Sequence, residues 1–193
     1  MRVATVTPLY KEDLTADERV SLLHLRRILE PYDRIFVAPQ SLAAPEISEE
    51  VRRFPDRFFQ STLSYNKLLL SRQFYEAFSD YDYILIYQLD CLVLAPELDI
   101  WCSRGWDYIG APWFPDFGDG SCGEPFWAVG NGGLSLRRVE ACLRVLSSPK
   151  RITTAAEYWQ RHYVRRSIAG KAAGLPKLLL KSVGVANSVG WYT

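Results

Sequence analysis

A layered α/β fold with a mainly parallel sheet is the class this sequence predicts, on three observations. Strand-like and helix-like segments alternate through the first half of the chain. Tyr83–Tyr87 (YILIY) is an unbroken apolar and aromatic run, the pattern of a strand covered on both faces. Just beyond it stands Asp90, in Gln88-Leu89-Asp90, where open α/β sheets place their ligand crevice. A turn aspartate that merely closes the strand is the plainer reading of the same residue.

Each element has its own signal. Arg2–Thr7 alternates and is rich in β-branched residues, and Pro8 ends it. Asp13–Glu30 carries Leu22, Leu25 and Leu29, with Val20 and Leu23, at helical spacings and stops at Pro31. Arg34–Ala38 is a second strand. A loop and short helix follow to about Arg53, then a strand near Arg57–Gln60. Ser64 caps a helix Tyr65–Phe78. After Tyr83–Tyr87 the sequence predicts a short strand Cys91–Leu94, a helix Glu97–Ser103, strands Asp107–Ile109 and Leu134–Arg137, and a helix Arg138–Leu146. Helices near Ala155–Ile168 and Pro176–Val183 complete the chain.

Length and composition describe one domain with room for a real core: 193 residues, 48% hydrophobic and 23% charged. No apolar run reaches the ~18 residues of a membrane span, and MRVATVTPLY has no signal-peptide pattern. Cys91, Cys102, Cys122 and Cys142 form no CxxC pair and have no nearby histidine, which disfavours a zinc or thioredoxin-like site. Reduced thiols in the cytoplasm are the expectation. The net charge of +1 hides an asymmetry. Residues 150–193 hold eight basic side chains and one acid, a basic, mainly helical segment suited to an anionic partner such as a phosphate-linked lipid or a membrane surface, with peripheral contact at the inner membrane. A solvated helix face is the bland alternative. No aromatic-interleaved basic motif points to nucleic acid.

Glycine placement excludes whole classes. All twelve glycines lie between Gly105 and Gly190, so the turn after the first strand reads Thr7-Pro8-Leu9-Tyr10-Lys11. Dinucleotide-binding folds need glycines there for backbone to approach a pyrophosphate, and a phosphate loop needs them before Lys-Ser or Lys-Thr. A nucleotide is left to side chains and a metal.

Three segments remain as site material. Tyr65-Asn66-Lys67, read at the start of a helix, combines backbone N–H groups, a donor and a cation for a phosphate; an ordinary capped helix reads the same way. Gln88 and Asp90, two apart on an extended strand, would address one ligand, with the carboxylate suited to Mg²⁺ or Mn²⁺ on a diphosphate. Asn131-Gly132-Gly133 leads into Leu134-Ser135-Leu136, so its glycines either admit a close approach or take positive φ. Between these lies an aromatic and acidic stretch. In it Trp106, Tyr108, Trp113 and Trp127 would stack on sugar faces, and Asp116, Asp119 and Glu124 would add polar recognition, unless the aromatics simply pack a long loop.

The order YNKLLLS, YDYILIYQLDCLVL, WDYIGAPWF, VGNGGLSLRR resembles a bacterial family of GT-A-type glycosyltransferases, catalogued as a domain of unknown function, over about Ser64 to Arg138. The resemblance implies a GT-A-like (nucleotide-diphospho-sugar transferase) fold, a Rossmann-related, mostly parallel sheet flanked by helices. It implies a nucleoside held by Thr7, Pro8 and Tyr10, and donor contacts from Asn66 and Lys67. Gln88-Leu89-Asp90 would take the place of an Asp-x-Asp metal motif, with Asp90 catalytic and ligating Mn²⁺ or Mg²⁺; Gln88 removes one acid of that motif. Asn131, Gly132 and Gly133, with Trp113, would line the sugar or the acceptor. It also implies an acidic, aromatic motif beyond Thr193, so the 193 residues are read as a single GT-A-like domain lacking its C-terminal part.

The function expected on this basis is transfer of a hexose from a nucleotide-diphosphate sugar to a saccharide or lipid-linked acceptor, in surface polysaccharide synthesis. The rivals are a non-catalytic nucleotide-sugar or saccharide-binding module of the same fold and, more weakly, a sugar nucleotidyltransferase. The last needs a glycine-rich basic loop after the first strand, which is absent.

Overall fold

β1 (Val3–Pro8) is buried at every position, which identifies it as a central strand before its neighbours are considered. In the computed structural model, which describes residues 1–43, 47–113, 128–150, 153–164 and 167–182, it pairs in parallel with β2 (Asp33–Pro39) and with β4 (Tyr83–Tyr87). β2 pairs in parallel with β3 (Glu50–Phe54), whereas β6 (Ala128–Arg138) runs antiparallel to β4 and to β5 (Tyr108–Trp113). The sheet has six strands in the order β3-β2-β1-β4-β6-β5. The predicted layered, mostly parallel sheet is what forms.

Helices cover both faces. α1 (Ala16–Ile28) starts at Thr15, whose side chain accepts from the Glu18 N–H while the Glu18 carboxylate accepts from the Thr15 N–H. Its Leu22 and Leu25, with Leu29 beyond its end, meet Phe36, Tyr87 and Leu136 on one face; α4 (Leu98–Ser103) adds Leu98 and Cys102 there. On the other face α2 (Thr62–Leu69), α3 (Arg72–Glu76) and α5 (Val139–Leu146) pack on Val6, Val37, Ile84 and Ile86. Burying each such aliphatic or aromatic side chain contributes about 1.5–3 kcal/mol. α6 (Ala155–His162) and α7 (Ile168–Ser182) follow and pack on each other.

Several predicted elements are corrected. The strand expected at Arg57–Gln60 is a 3₁₀ turn, Asp56–Phe58, and the strand lies earlier, at Glu50–Phe54. Pro55 ends it, and its charged residues hide an edge strand whose apolar pattern is weak. The single helix Tyr65–Phe78 is two helices: Ser61, not Ser64, caps the first, in a reciprocal pair with Ser64, and Ser71 caps the second. Cys91–Leu94 forms no strand, and the last helix runs through Pro176 instead of starting there.

The Arg26 guanidinium grips Glu49 through two hydrogen bonds of 2.7 and 2.9 Å, fastening α1 to the approach to β3. Arg26 holds the Glu49 carboxyl down at about 2. A depressed carboxylate stabilises the fold above its unfolded pKa, near 4.5, and that contribution is lost as pH falls toward 2. Denaturant titrations at pH 6 and pH 3 should therefore show wild type losing more stability than Glu49→Gln; equal losses would remove the pair from the acid response.

Candidate functional site

The strand order sets the location. From β1 the chain winds outward through α1 to β2 and β3, then crosses the opposite face in α2 and α3 to reach β4 on the other side of β1. Helices lie on opposite faces to either side of that point, and the carboxyl ends of β1 and β4 there are the place where open α/β sheets bind ligands. The register Val6↔Ile86 brings Thr7-Pro8 abreast of Tyr87-Gln88 at this edge. The antiparallel β6 delivers Asn131-Gly132-Gly133 to the same edge, since Tyr87 pairs with Leu134 and the Gln88 N–H donates to the Gly133 carbonyl at 2.9 Å.

Gln88–Cys91 is a reverse turn, closed by the Cys91 N–H donating to the Gln88 carbonyl at 3.2 Å. It is not the extended strand expected, so the alternation that would aim Gln88 and Asp90 alike does not apply. The turn is held from below. Ser21 and Tyr87 both donate to the Cys91 carbonyl, at 2.6 and 2.9 Å, and Leu89 is buried in the α1 face. Burial, with the Asp90 charge adding to it, pushes the Cys91 thiol up to about 11, so it stays protonated and unreactive. Asp90 itself is exposed, and no described residue bonds or pairs with its carboxylate. The corner is rigid and its carboxylate is free.

The glycines act by close approach, because Gly105 alone among the described glycines has positive φ. A Cβ on Gly133 would sit 2.8 Å from the Gln88 amide oxygen, and one on Gly132 would sit 3.1 Å from Nη2 of Arg137. A bulge supplies the geometry: the β5–β6 register jumps from Gly110↔Ser135 to Ala111↔Asn131. Bulges of this kind re-aim backbone beside functional sites. Asn131 is committed to the bulge, its side chain accepting from the Gly133 N–H and its carbonyl from the Tyr108 hydroxyl.

Sequence reading gave Arg137 no role. It is 7% exposed and stands on β6 under the bulge, where Nε donates to Ser135 at 3.0 Å and Nη1 to the Tyr75 hydroxyl at 2.8 Å. Burial opposes its charge, but the Tyr75 and Tyr108 oxygens outweigh it, so the guanidinium remains cationic. Nearby, the buried Tyr65 hydroxyl lies beside Gln88 and within the field of Arg137, but its geometry completes no hydrogen bond. The signal in the sequence was the two-residue spacing Gly133, Ser135, Arg137, which sends all three to the covered α2–α3 face.

The remaining predicted residues fall in different places. Asn66 and Lys67 are exposed in the last turn of α2, not the first. The helix begins three residues earlier than expected because the Ser61–Ser64 pair caps it, so the helix-dipole argument for an anion there is withdrawn. Thr7 and Pro8 are buried, the Thr7 hydroxyl without a partner, while Tyr10 is 61% exposed beside Lys11. Trp113 is partly exposed at the far end of the β5–β6 ladder, opposite Ala128 and beyond the bulge. Trp106 is exposed. Asp116, Asp119, Glu124 and Trp127 lie outside the described residues.

No group of three or more His, Cys, Asp or Glu among the described residues could hold a metal ion. The site offers a single carboxylate, and Gln88 faces the glycine backbone. The described residues do not form a self-sufficient Mn²⁺ or Mg²⁺ site. An apolar cavity of about 400 Å³ lies elsewhere, between α4 and the β4–β6–β5 part of the sheet, lined by Leu85, Val93, Leu98, Trp101 and Leu134 among others; Asp90 is not in its wall.

A model of the family described as a protein of unknown function, DUF5672, matches residues 48–169. The chain belongs to that family. The matched stretch runs from just before β3 into α7 and includes Tyr65, Gln88, Asp90, the Gly-Gly bulge and Arg137. No curated protein matches the chain. Among solved structures, the 4-diphosphocytidyl-2C-methyl-D-erythritol synthase of Anaerococcus prevotii is similar at 10% identity over 96% of each chain, with a TM-score of 0.39. That likeness is too slight to argue from. Among the described residues no helix is long and apolar enough to cross a membrane.

Proposed function

We propose that this chain is a GT-A-like glycosyltransferase that moves a hexose from a nucleotide-diphosphate sugar to a saccharide or lipid-linked acceptor. One observation carries the reading: a rigidly held turn presents the unpartnered Asp90 carboxylate at the carboxyl edge between β1 and β4, opposite Thr7-Pro8 and beside Gly132-Gly133. In the reaction the anomeric C–O bond to the diphosphate breaks and a bond to the acceptor oxygen forms. The acceptor's proton leaves to a base that the described residues do not identify. Asp90 accepts hydrogen bonds from donor hydroxyls and fixes the sugar for attack. Lys67, exposed on α2, meets the charge that develops on the departing diphosphate, an interaction worth most in the transition state. A divalent cation enters only as an ion whose shell the donor's own phosphates complete, and no step is assigned to it.

The lone carboxylate and unidentified base favour, as a second reading, a non-catalytic module that binds nucleotide-sugar without turnover. Binding without release of free nucleotide would select it. For the basic segment, exposed Leu175 and Leu179 on α7, among Lys171, Lys177 and Lys181, support peripheral contact with an anionic membrane.

Uridine, guanosine, cytidine and thymidine diphosphates, each with and without Mn²⁺, test both readings in one thermal-shift screen. At a hundred times its dissociation constant the correct ligand stabilises by about 2.7 kcal/mol, a rise of roughly 5–10 °C for a chain of this length. Absence of a shift with all four would sink the shared premise of a nucleotide-sugar site.

A further inference from the structure

Arg137 is a buried cation without an anion. Its burial rivals that of the apolar core, yet its hydrogen-bond partners are the neutral hydroxyls of Ser135 and Tyr75, and no carboxylate among the described residues pairs with it. Burial pushes the Tyr75 phenol up to about 12, so that group does not supply the missing negative charge. A desolvated guanidinium with no counter-charge is costly, and natural proteins keep such groups for a ligand or a specific fold requirement.

The surroundings favour a ligand. Nε and Nη1 are engaged, but Nη2 donates to no described residue and lies so close to Gly132 that a Cβ there would come within 3.1 Å of it. The orphan Tyr65 hydroxyl adds a second unused donor near the same guanidinium. β6 brings Gly133 against Gln88, and α2 brings Tyr65 to the same residue, two positions from Asp90 in sequence.

We infer that Arg137, through Nη2 and with the Tyr65 hydroxyl, forms a phosphoryl-binding subsite that takes the donor's diphosphate. It supplies from within the fold the positive charge that an Asp-x-Asp pair would recruit as a metal ion. The identity of the anion as donor diphosphate rests on the transferase reading; the subsite itself rests on the guanidinium without a counter-ion and the unpartnered Tyr65 hydroxyl. A fixed fork suits this task, because guanidinium N–H groups match phosphate oxygens and the charge is permanent.

Inorganic pyrophosphate is the probe, titrated calorimetrically into the full chain in EDTA. Wild type should bind without any divalent ion. Arg137→Met should weaken binding at least tenfold and Arg137→Lys by less, while Arg144→Met, at a surface arginine paired with Asp107 and Glu140, leaves it within twofold. Gly132→Ala keeps the charge and places a methyl group in front of Nη2, so it should also weaken binding, and it carries the test if Arg137→Met fails to fold. Undiminished binding in Gly132→Ala together with Arg137→Lys, or wild-type binding that requires Mn²⁺ and Asp90, overturns the subsite. Pyrophosphate binding in a chain that shifts with no nucleoside diphosphate would instead uphold the subsite and remove the nucleotide-sugar reading.

Discussion

Asp90→Asn should lower sugar transfer by about 10²–10³-fold, equivalent to roughly 3–4 kcal/mol of transition-state stabilisation, while leaving the melting temperature unchanged. The separation follows from the local structure. The turn is held by the Cys91 carbonyl, which takes hydrogen bonds from Ser21 and Tyr87, and by the burial of Leu89, none of which involves the Asp90 side chain. Its carboxylate is exposed and bonds to no described residue, so an isosteric amide removes charge without removing packing. The measurement pairs a nucleotide-release assay, using the nucleoside identified by thermal shift, with a melting curve. Transfer within twofold of wild type would take Asp90 out of the reaction, and the proposed transferase would lose its principal residue.

The largest stability loss is expected on the opposite face of the sheet. Phe74 is fully buried among Phe54, Tyr75 and Phe78, with ring centroids at 5.7, 5.2 and 5.2 Å, the Tyr75 contact edge-on. Phe74→Ala removes the ring and leaves a cavity, at a cost of about 3–5 kcal/mol. A typical domain has about 5–15 kcal/mol in total, so the variant should melt roughly 6–20 °C lower. The effect reaches the site through Tyr75, which receives a hydrogen bond from Arg137 and donates to the Leu69 carbonyl at the end of α2. Pyrophosphate affinity should therefore fall along with stability. A melting point within 2 °C of wild type would mean that α3 is not seated on the sheet as described.

The two substitutions probe features that differ in how visible they were in the sequence. β1, β2 and β4 were visible because strands buried on both faces are compact apolar runs. α1 announced itself by leucine spacing and the stop at Pro31. β3 was missed because an edge strand shows only one or two apolar positions; its Arg52 instead stacks its guanidinium 4.6 Å from the Phe78 ring. The start of α2 was misplaced because Ser61 and Ser64 are both competent caps, and only the backbone shows that the first opens the helix. That small difference moved Asn66 and Lys67 from one end of the helix to the other and reversed the sense of its dipole.

Residue chemistry and local periodicity alone established the layered α/β class, singled out Asp90 after the central strand, and argued against glycine-cradled nucleotides. Those are short-range properties, decided by neighbours within a turn of helix or a few strand positions. Folding was needed to bring the ends of β1, β4 and β6 together, to turn Gln88 inward against Gly133, and to leave Arg137 charged and unpaired beneath Gly132. These are contacts between residues far apart in the chain, such as Arg137 and Tyr75, 62 positions apart. No local pattern encodes whether an arginine will find a counter-ion; only the burial of everything around it decides that.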